Sequence, residues 1–238
     1  MKEIVKILRF NPEIDEKPYY QDFEYDHKEG MTVLDVLNYI YEKIDSTLSY
    51  SYCCRNGYCG LCGVMVDGKA VLSCKTSASP KIRIEPLRNI RVIKDLVIDR
   101  GDYEKRFPKL RLFLERQCEL AYEPEKIDML EFEKFKTASR CVECLCCVAV
   151  CPEFKKNPHL FEGPLAYVLE ARHLFDPRDD LNRTVLFNSQ GIHRCSECGL
   201  CSNVCMNKVD PAGIIKEIKK YKVKEEDIKY QLISKHKN

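Results

Sequence analysis

Twelve of the fifteen cysteines fall into three groups whose spacings suit iron and sulfide. Cys54, Cys59 and Cys62 read C-x4-C-x2-C, and Cys74 is a more distant fourth, which is the plant-type 2Fe-2S spacing. Cys141, Cys144, Cys147 and Cys151 form a C-x2-C-x2-C-x3-C run, repeated at an offset of 54 residues by Cys195, Cys198, Cys201 and Cys205. In runs of this kind three thiolates hold one cubane and the fourth reaches across to the other. The expected sets are Cys141, Cys144 and Cys147 with Cys205, and Cys195, Cys198 and Cys201 with Cys151. Iron bound through these cysteines implies one 2Fe-2S cluster and two cubanes.

A cluster iron takes thiolate at its protein-facing corners, and a tight loop turns backbone amides toward the sulfur. In Cys54-Arg55-Asn56-Gly57-Tyr58-Cys59-Gly60-Leu61-Cys62-Gly63 the glycines permit the backbone angles such a loop needs. Arg55 either offsets anionic charge there or lies in solvent. Structural zinc is the competing reading of the paired C-x2-C elements. A disulfide framework belongs to short secreted chains, whereas this chain opens without an export signal and has an odd cysteine count. Cys146 competes with Cys147 as a ligand, but only Cys147 reproduces the register of the second run, and Pro152 follows Cys151 as the motif expects. Cys53, Cys118 and Cys146 stay outside the three sets. Cys118 reads as a small buried hydrophobe, Cys53 as a thiol beside a ligand, and His193 as a packing or surface residue.

The elements that must hold these sulfurs divide into two domains, 1–100 and 101–238. Ile4, Ile7, Leu8 and Phe10 suggest a first strand, and Phe23 and Tyr25 a second. Thr32 is an N-cap for a helix through Lys43, with Val33, Leu34, Leu37 and Ile40 at helical period. The runs either side of Asp67-Gly68 predict a hairpin that delivers Cys74, and Ile82–Ile84 a further strand. This is a β-grasp pattern. Residues 88–102 are charged and mixed. Beyond them, helices are expected over Phe107–Leu120, Ile127–Phe135 and Pro164–Phe175, and each cubane run is helix-compatible because Cys144, Cys147 and Cys151 share a face. The lysine-rich end, Ile214–His236, reads as an amphipathic helix.

The apolar fraction of 45% is that of a globular protein, and the net charge of +2 offers no basic field for nucleic acid. No stretch approaches the eighteen or so apolar residues of a membrane-spanning helix. No G-x-G-x-x-G fingerprint and no array of catalytic acids and bases is present, so no catalytic residue is assigned.

Together the motifs resemble the iron-sulfur subunit of succinate dehydrogenase and fumarate reductase over nearly the whole chain. The first-cluster loop Cys54–Gly63, the second run Cys141–Pro152, Asn157-Pro158 with Gly163-Pro164, Leu186–Gln190, and Cys195 through Val209-Asp210-Pro211-Ala212 carry the likeness. The resemblance implies an α+β protein: an N-terminal β-grasp plant-type ferredoxin domain and a C-terminal all-α bacterial-ferredoxin-like domain. It implies an electron-transfer subunit with no substrate-converting site of its own, relaying electrons between an FAD-containing flavoprotein and a membrane-associated or quinone-linked partner. Its expected place is cytoplasmic, peripheral on the inner face of the cell membrane through those partners. In most relatives the third cluster is 3Fe-4S because the position of Cys198 is not cysteine; here a complete 4Fe-4S cluster is expected, with 3Fe-4S the form without Cys198. Met206 stands where a proline usually follows the last cysteine and tryptophan is absent from the chain, so the family's quinone contacts do not carry over. These departures resemble an atypical branch whose membrane-facing partner is a cysteine-rich subunit akin to heterodisulfide reductase. The alternative is the same relay serving another flavoprotein, acting on a hydroxy acid, another enoate or a thiol-linked acceptor.

Overall fold

A computed structural model describes residues 2–116 and 126–221. The chain forms two compact units: Met1–Lys105 with Val142–Val150 and Val204–Asn207, and Arg106–Cys141 with Cys151–Asn203 and Lys208–Asn238.

The first unit is built on a five-stranded sheet. Strands β1 (Lys2–Arg9) and β2 (Tyr19–Asp26) pair antiparallel, followed by helix α1 (Val33–Lys43) and the hairpin β3 (Gly63–Val66) and β4 (Lys69–Leu72). Strand β5 (Arg83–Glu85) enters between them, parallel to β1 and antiparallel to β3, giving the order β2-β1-β5-β3-β4. Alternation in β1 turns Val5 and Ile7 inward and leaves Ile4 half exposed. Val5 and Ile7 meet Phe23, Tyr25 and the α1 residues Val33, Val36, Leu37 and Ile40 in one core. Thr32 and Asp35 form a reciprocal capping box at the start of α1. Asp67 and Gly68, both at positive φ, make the hairpin turn.

Within residues 88–102 the structure adds a small hairpin, β6 (Val92–Lys94) and β7 (Val97–Ile98), followed by α2 (Arg100–Glu104). Charge, beside backbone bonds from Asp95 and Leu96 and the burial of Leu96, holds it. The buried guanidinium of Arg9 donates to Asp95 at 3.0 Å, Asp45 at 2.7 Å, Gln21 at 2.7 Å and Thr47 at 2.9 Å, while Asp95 also accepts from the backbone of Phe10 and Ser49.

The second unit is helical. It contains α3 (Met129–Ser139), whereas α4 (Cys146–Ala149) belongs to the first unit. The second unit continues with α5 (Pro152–Lys156), α6 (Pro164–Leu174), α7 (Thr184–Ser189), α8 (Leu200–Asn203) and α9 (Pro211–Ile218). Helix α6 is buried from Pro164 through Ala171 and packs against α3 and α9, which explains an apolar run with little amphipathic contrast. Phe107–Leu110 is a single 3-10 turn and not the start of a long helix, because Arg111 takes a left-handed conformation and ends it. Cys118, with the rest of that expected helix, and the chain beyond Tyr221 lie outside the described residues. Among the described residues no helix is long and apolar enough to cross a membrane.

Candidate iron-sulfur centres

The first site is a loop without regular structure, because left-handed residues at Arg55, Gly57 and Gly60 keep reversing the chain. Reversal aims amides at sulfur. The backbone N–H groups of Asn56, Tyr58 and Cys59 donate to Cys54 Sγ at 3.4, 3.2 and 3.3 Å. These donors, Asn56 foremost, hold the Cys54 thiol down to about 6, so the loop favours thiolate. Cys74 is carried in by the 3-10 turn Ser73–Lys75 that follows β4, and its sulfur lies 3.2 Å from that of Cys62. That is too long for a disulfide and close enough for one metal atom to hold both. Both thiols are buried in an apolar cluster with Leu34 and Leu72, and burial, then Cys62, pushes Cys74 up to about 11. Arg55 is exposed and lies over the Tyr52 ring at 5.3 Å, so its partner in this structure is aromatic. Cys53 is exposed beside the loop.

The two long cysteine runs share one backbone pattern. In the first, Glu143 and Leu145 are left-handed and α4 starts at Cys146; in the second, Glu197 and Gly199 are left-handed and α8 starts at Leu200. Left-handed backbone at Glu143 and Glu197 costs roughly 1–2 kcal/mol each, and the return is a concavity of N–H groups suited to an anionic core. The continuous helical face expected for Cys144, Cys147 and Cys151 is therefore absent. An α-helix ties up its N–H groups in i to i−4 bonds, whereas here the N–H groups of Cys146 and Glu197 reach the sulfurs of Cys144 and Cys195.

Cys151 ends the first run, yet it lines one cavity with Cys195, Cys198 and Cys201 of the second. Burial raises the thiols of Cys151 and Cys195, and burial together with the neighbouring Cys151, Cys195 and Cys198 pushes Cys201 up to about 12. Thiols that raise one another in this way need a cation to neutralise them if they are to ionise together. Lys219 donates to the Cys195 carbonyl at 2.6 Å and to Glu197 at 2.9 Å. Cys144, Cys147 and Cys205 all belong to the first unit, and Cys141 to the second, where its carbonyl accepts from Arg172 at 2.7 Å. Cys146 is buried, and its thiol donates to Cys144, which is held near 7 chiefly by that bond; Cys146 itself is pushed well above the ordinary thiol range. His193 is exposed and lines a separate cavity with Phe187, Ile192, Lys219 and Tyr221.

An all-sulfur donor set, thiolate-favouring amides in the first loop and backbone amides bonded to cysteine sulfur in the two runs fit clusters of iron and sulfide. The sequence left the Cys146 contact unread: a fifth cysteine inside a run of four signals only that it is extra, and its neighbours come from the fold.

Residues 4–105 match the family described as a 2Fe-2S iron-sulfur cluster binding domain, and residues 137–209 that described as a 4Fe-4S dicluster domain. The chain is 35% identical over 231 residues to the fumarate reductase iron-sulfur subunit of Haemophilus influenzae, covering 90% of each. It is 35% identical over 225 residues to that of Mycobacterium tuberculosis, covering 91% of each. It is also 32% identical to one chain of the fumarate reductase (CoM/CoB) of Methanothermobacter marburgensis, over 88% of this chain and 42% of that one. A chain of the Mycobacterium smegmatis Sdh1 complex in the apo form shares the fold, with a TM-score of 0.82 at 21% identity over 92% of this chain and 94% of its own.

Proposed function

The chain belongs to the iron-sulfur subunit family of fumarate reductase and succinate dehydrogenase, and from that premise we propose that it relays electrons between an FAD-containing flavoprotein subunit and a membrane-associated or quinone-linked partner. The carbon chemistry then lies on the flavoprotein, with no substrate-converting site on this chain. The bound clusters supply one-electron steps over a range of potentials that ligands and hydrogen bonds tune.

The residues divide the work. Cys54, Cys59, Cys62 and Cys74 hold the 2Fe-2S cluster, and the amides of Asn56, Tyr58 and Cys59 stabilise the charge on Cys54. Cys141, Cys144, Cys147 and Cys205 hold the second cluster. Cys151, Cys195, Cys198 and Cys201 hold the third as a complete 4Fe-4S cluster. The observation that carries this reading is the single cavity joining Cys151 to the second run, since crossed ligation is what the dicluster spacing demands. Attachment to the inner face of the cell membrane would come through partner subunits, one of them a membrane anchor or a cysteine-rich subunit akin to heterodisulfide reductase.

Electron paramagnetic resonance of anaerobically purified protein tests the assignment. Reduced protein should show a 2Fe-2S signal and two 4Fe-4S signals; a strong three-iron signal that survives iron reconstitution refutes the role of Cys198. Zinc in place of iron and acid-labile sulfide refutes the relay altogether. Co-purification with a large flavoprotein tests the partner. A second reading keeps the clusters and assigns a thiol-linked redox couple to the complex, favoured by the likeness to a relative named for CoM and CoB. Reduction of the clusters by a dithiol through the co-purified partners, absent with succinate, would select it.

A further inference from the structure

Glycine is needed at Gly60 for two reasons, and the second is not local. Its φ of +70° suits glycine, as at Gly68 with +81° in the hairpin turn, where a Cβ would meet nothing within 4 Å. At Gly60, however, a Cβ would lie 2.0 Å from the carbonyl oxygen of Val142 and 3.1 Å from the N and Cα of Cys144. Gly63 repeats the contact more loosely, with the Cys144 carbonyl oxygen 3.0 Å from its Cβ position. The backbone of the second cysteine loop thus rests directly on that of the first.

That loop is gripped elsewhere by groups of the same unit. Asn89 Nδ2 donates to the carbonyls of Val148 and Ala149, both at 3.0 Å, and Arg100 donates to that of Glu143 at 2.8 Å. Cys144 packs against the apolar cluster that contains Cys62 and Cys74. Three anchors and a seat without a side chain leave the loop little freedom to drift.

We propose that Gly60 is a positioning residue for electron transfer: its missing side chain seats the second cysteine loop and fixes the separation of the first and second clusters, with Asn89 and Arg100 as the opposing clamp. The inference rests on the assignment of Cys54, Cys59, Cys62 and Cys74 to one cluster and of Cys144 and Cys147 to the next. Contacts under 3.0 Å are essentially never seen for real Cβ atoms, so alanine at Gly60 forces one loop or the other to give until the 2.0 Å separation reaches at least 3.0 Å. Electron transfer and magnetic coupling both weaken steeply with separation.

The test uses the full-length protein with its clusters, comparing wild type with Gly60→Ala, Asn89→Gly and Gly68→Ala. Asn89 is itself left-handed at φ 65°, so glycine there removes the amide without strain. Microwave-power saturation of the reduced 2Fe-2S signal reads the coupling to the second cluster, beside iron and sulfide content and midpoint potentials. Expected is easier saturation, meaning weaker coupling, in Asn89→Gly and in Gly60→Ala protein that carries its full iron and sulfide, with unchanged potentials in Asn89→Gly and a Gly68→Ala control that behaves as wild type. Unchanged saturation in both variants, or the same change in Gly68→Ala, overturns the proposal. If Gly60→Ala fails to load its 2Fe-2S cluster, Asn89→Gly decides. A wild-type protein without the 2Fe-2S signal defeats the ligand assignment itself, a failure the wild-type spectrum alone reveals.

Discussion

Replacing Arg183 by methionine should destabilise the helical unit by about 3–5 kcal/mol, the usual cost of breaking a buried charge pair from one side. Arg183 is fully buried and precedes α7. Its guanidinium makes four hydrogen bonds: to the two carboxylate oxygens of Asp179 at 2.7 and 3.2 Å, and to the carbonyls of Arg111 and Phe113, both at 2.9 Å. Methionine keeps the apolar stem but strands the carboxylate, whose side chain is 1% exposed and retains the Glu115 N–H at 2.9 Å. An unpaired buried carbonyl adds about 1–3 kcal/mol wherever water does not reach it. Anaerobic urea unfolding followed by far-ultraviolet circular dichroism reads the loss; with a slope near 2 kcal/mol per molar, the midpoint should fall by about 2 M. Adding Asp179→Leu removes the stranded charge, so the double variant should regain a large part of the loss, with a coupling of up to about 3 kcal/mol. A midpoint shift under about 0.5 M, or strict additivity in the double variant, refutes the reasoning.

Cys151→Ser should abolish the third cluster's signal while sparing the second, although Cys151 belongs to the first run; loss of the second with retention of the third contradicts crossed ligation. Burial raises the carboxyl of Glu170 to about 8, against smaller opposing effects from Gln190, which donates to it at 2.7 Å, and from Arg183. The native state therefore holds a proton that the unfolded state releases near pH 4.5, and stability should fall between about pH 4.5 and 8, by a few kcal/mol in all, then level off. Glu170→Gln should flatten that slope in urea titrations across pH, and an unchanged slope would count against a neutral Glu170. Thr32→Ala removes half of the capping box on α1 and should cost about 1 kcal/mol, with clusters intact by absorbance; a change under a few tenths would mean that tertiary packing alone holds the helix start.

Features legible in the sequence were local. The three cysteine registers, the Thr32 cap, the Asp67-Gly68 hairpin and the Pro164 helix start each depend on residues a few positions apart, and the predicted cap, hairpin and helix start are present. The long helix expected from Phe107 is the instructive miss. Phe107, Leu110 and Leu114 recur with helical period, but the carbonyls of Arg111 and Phe113, which a helix would use internally, accept instead from Arg183, about seventy residues away. The mixed-charge stretch after Arg88 likewise conceals a hairpin held by the bond between Arg9 and Asp95.

The sequence by itself determined the chemistry. Type and spacing of cysteine fix which donors a short loop presents, because the chain between them is too short to present anything else. Only the tertiary structure decided which donors share a cavity, which thiols are shielded and where the two loops touch at Gly60. Those facts depend on backbone brought together across tens of residues, and a side chain's neighbours there are set by packing rather than by its place in the chain.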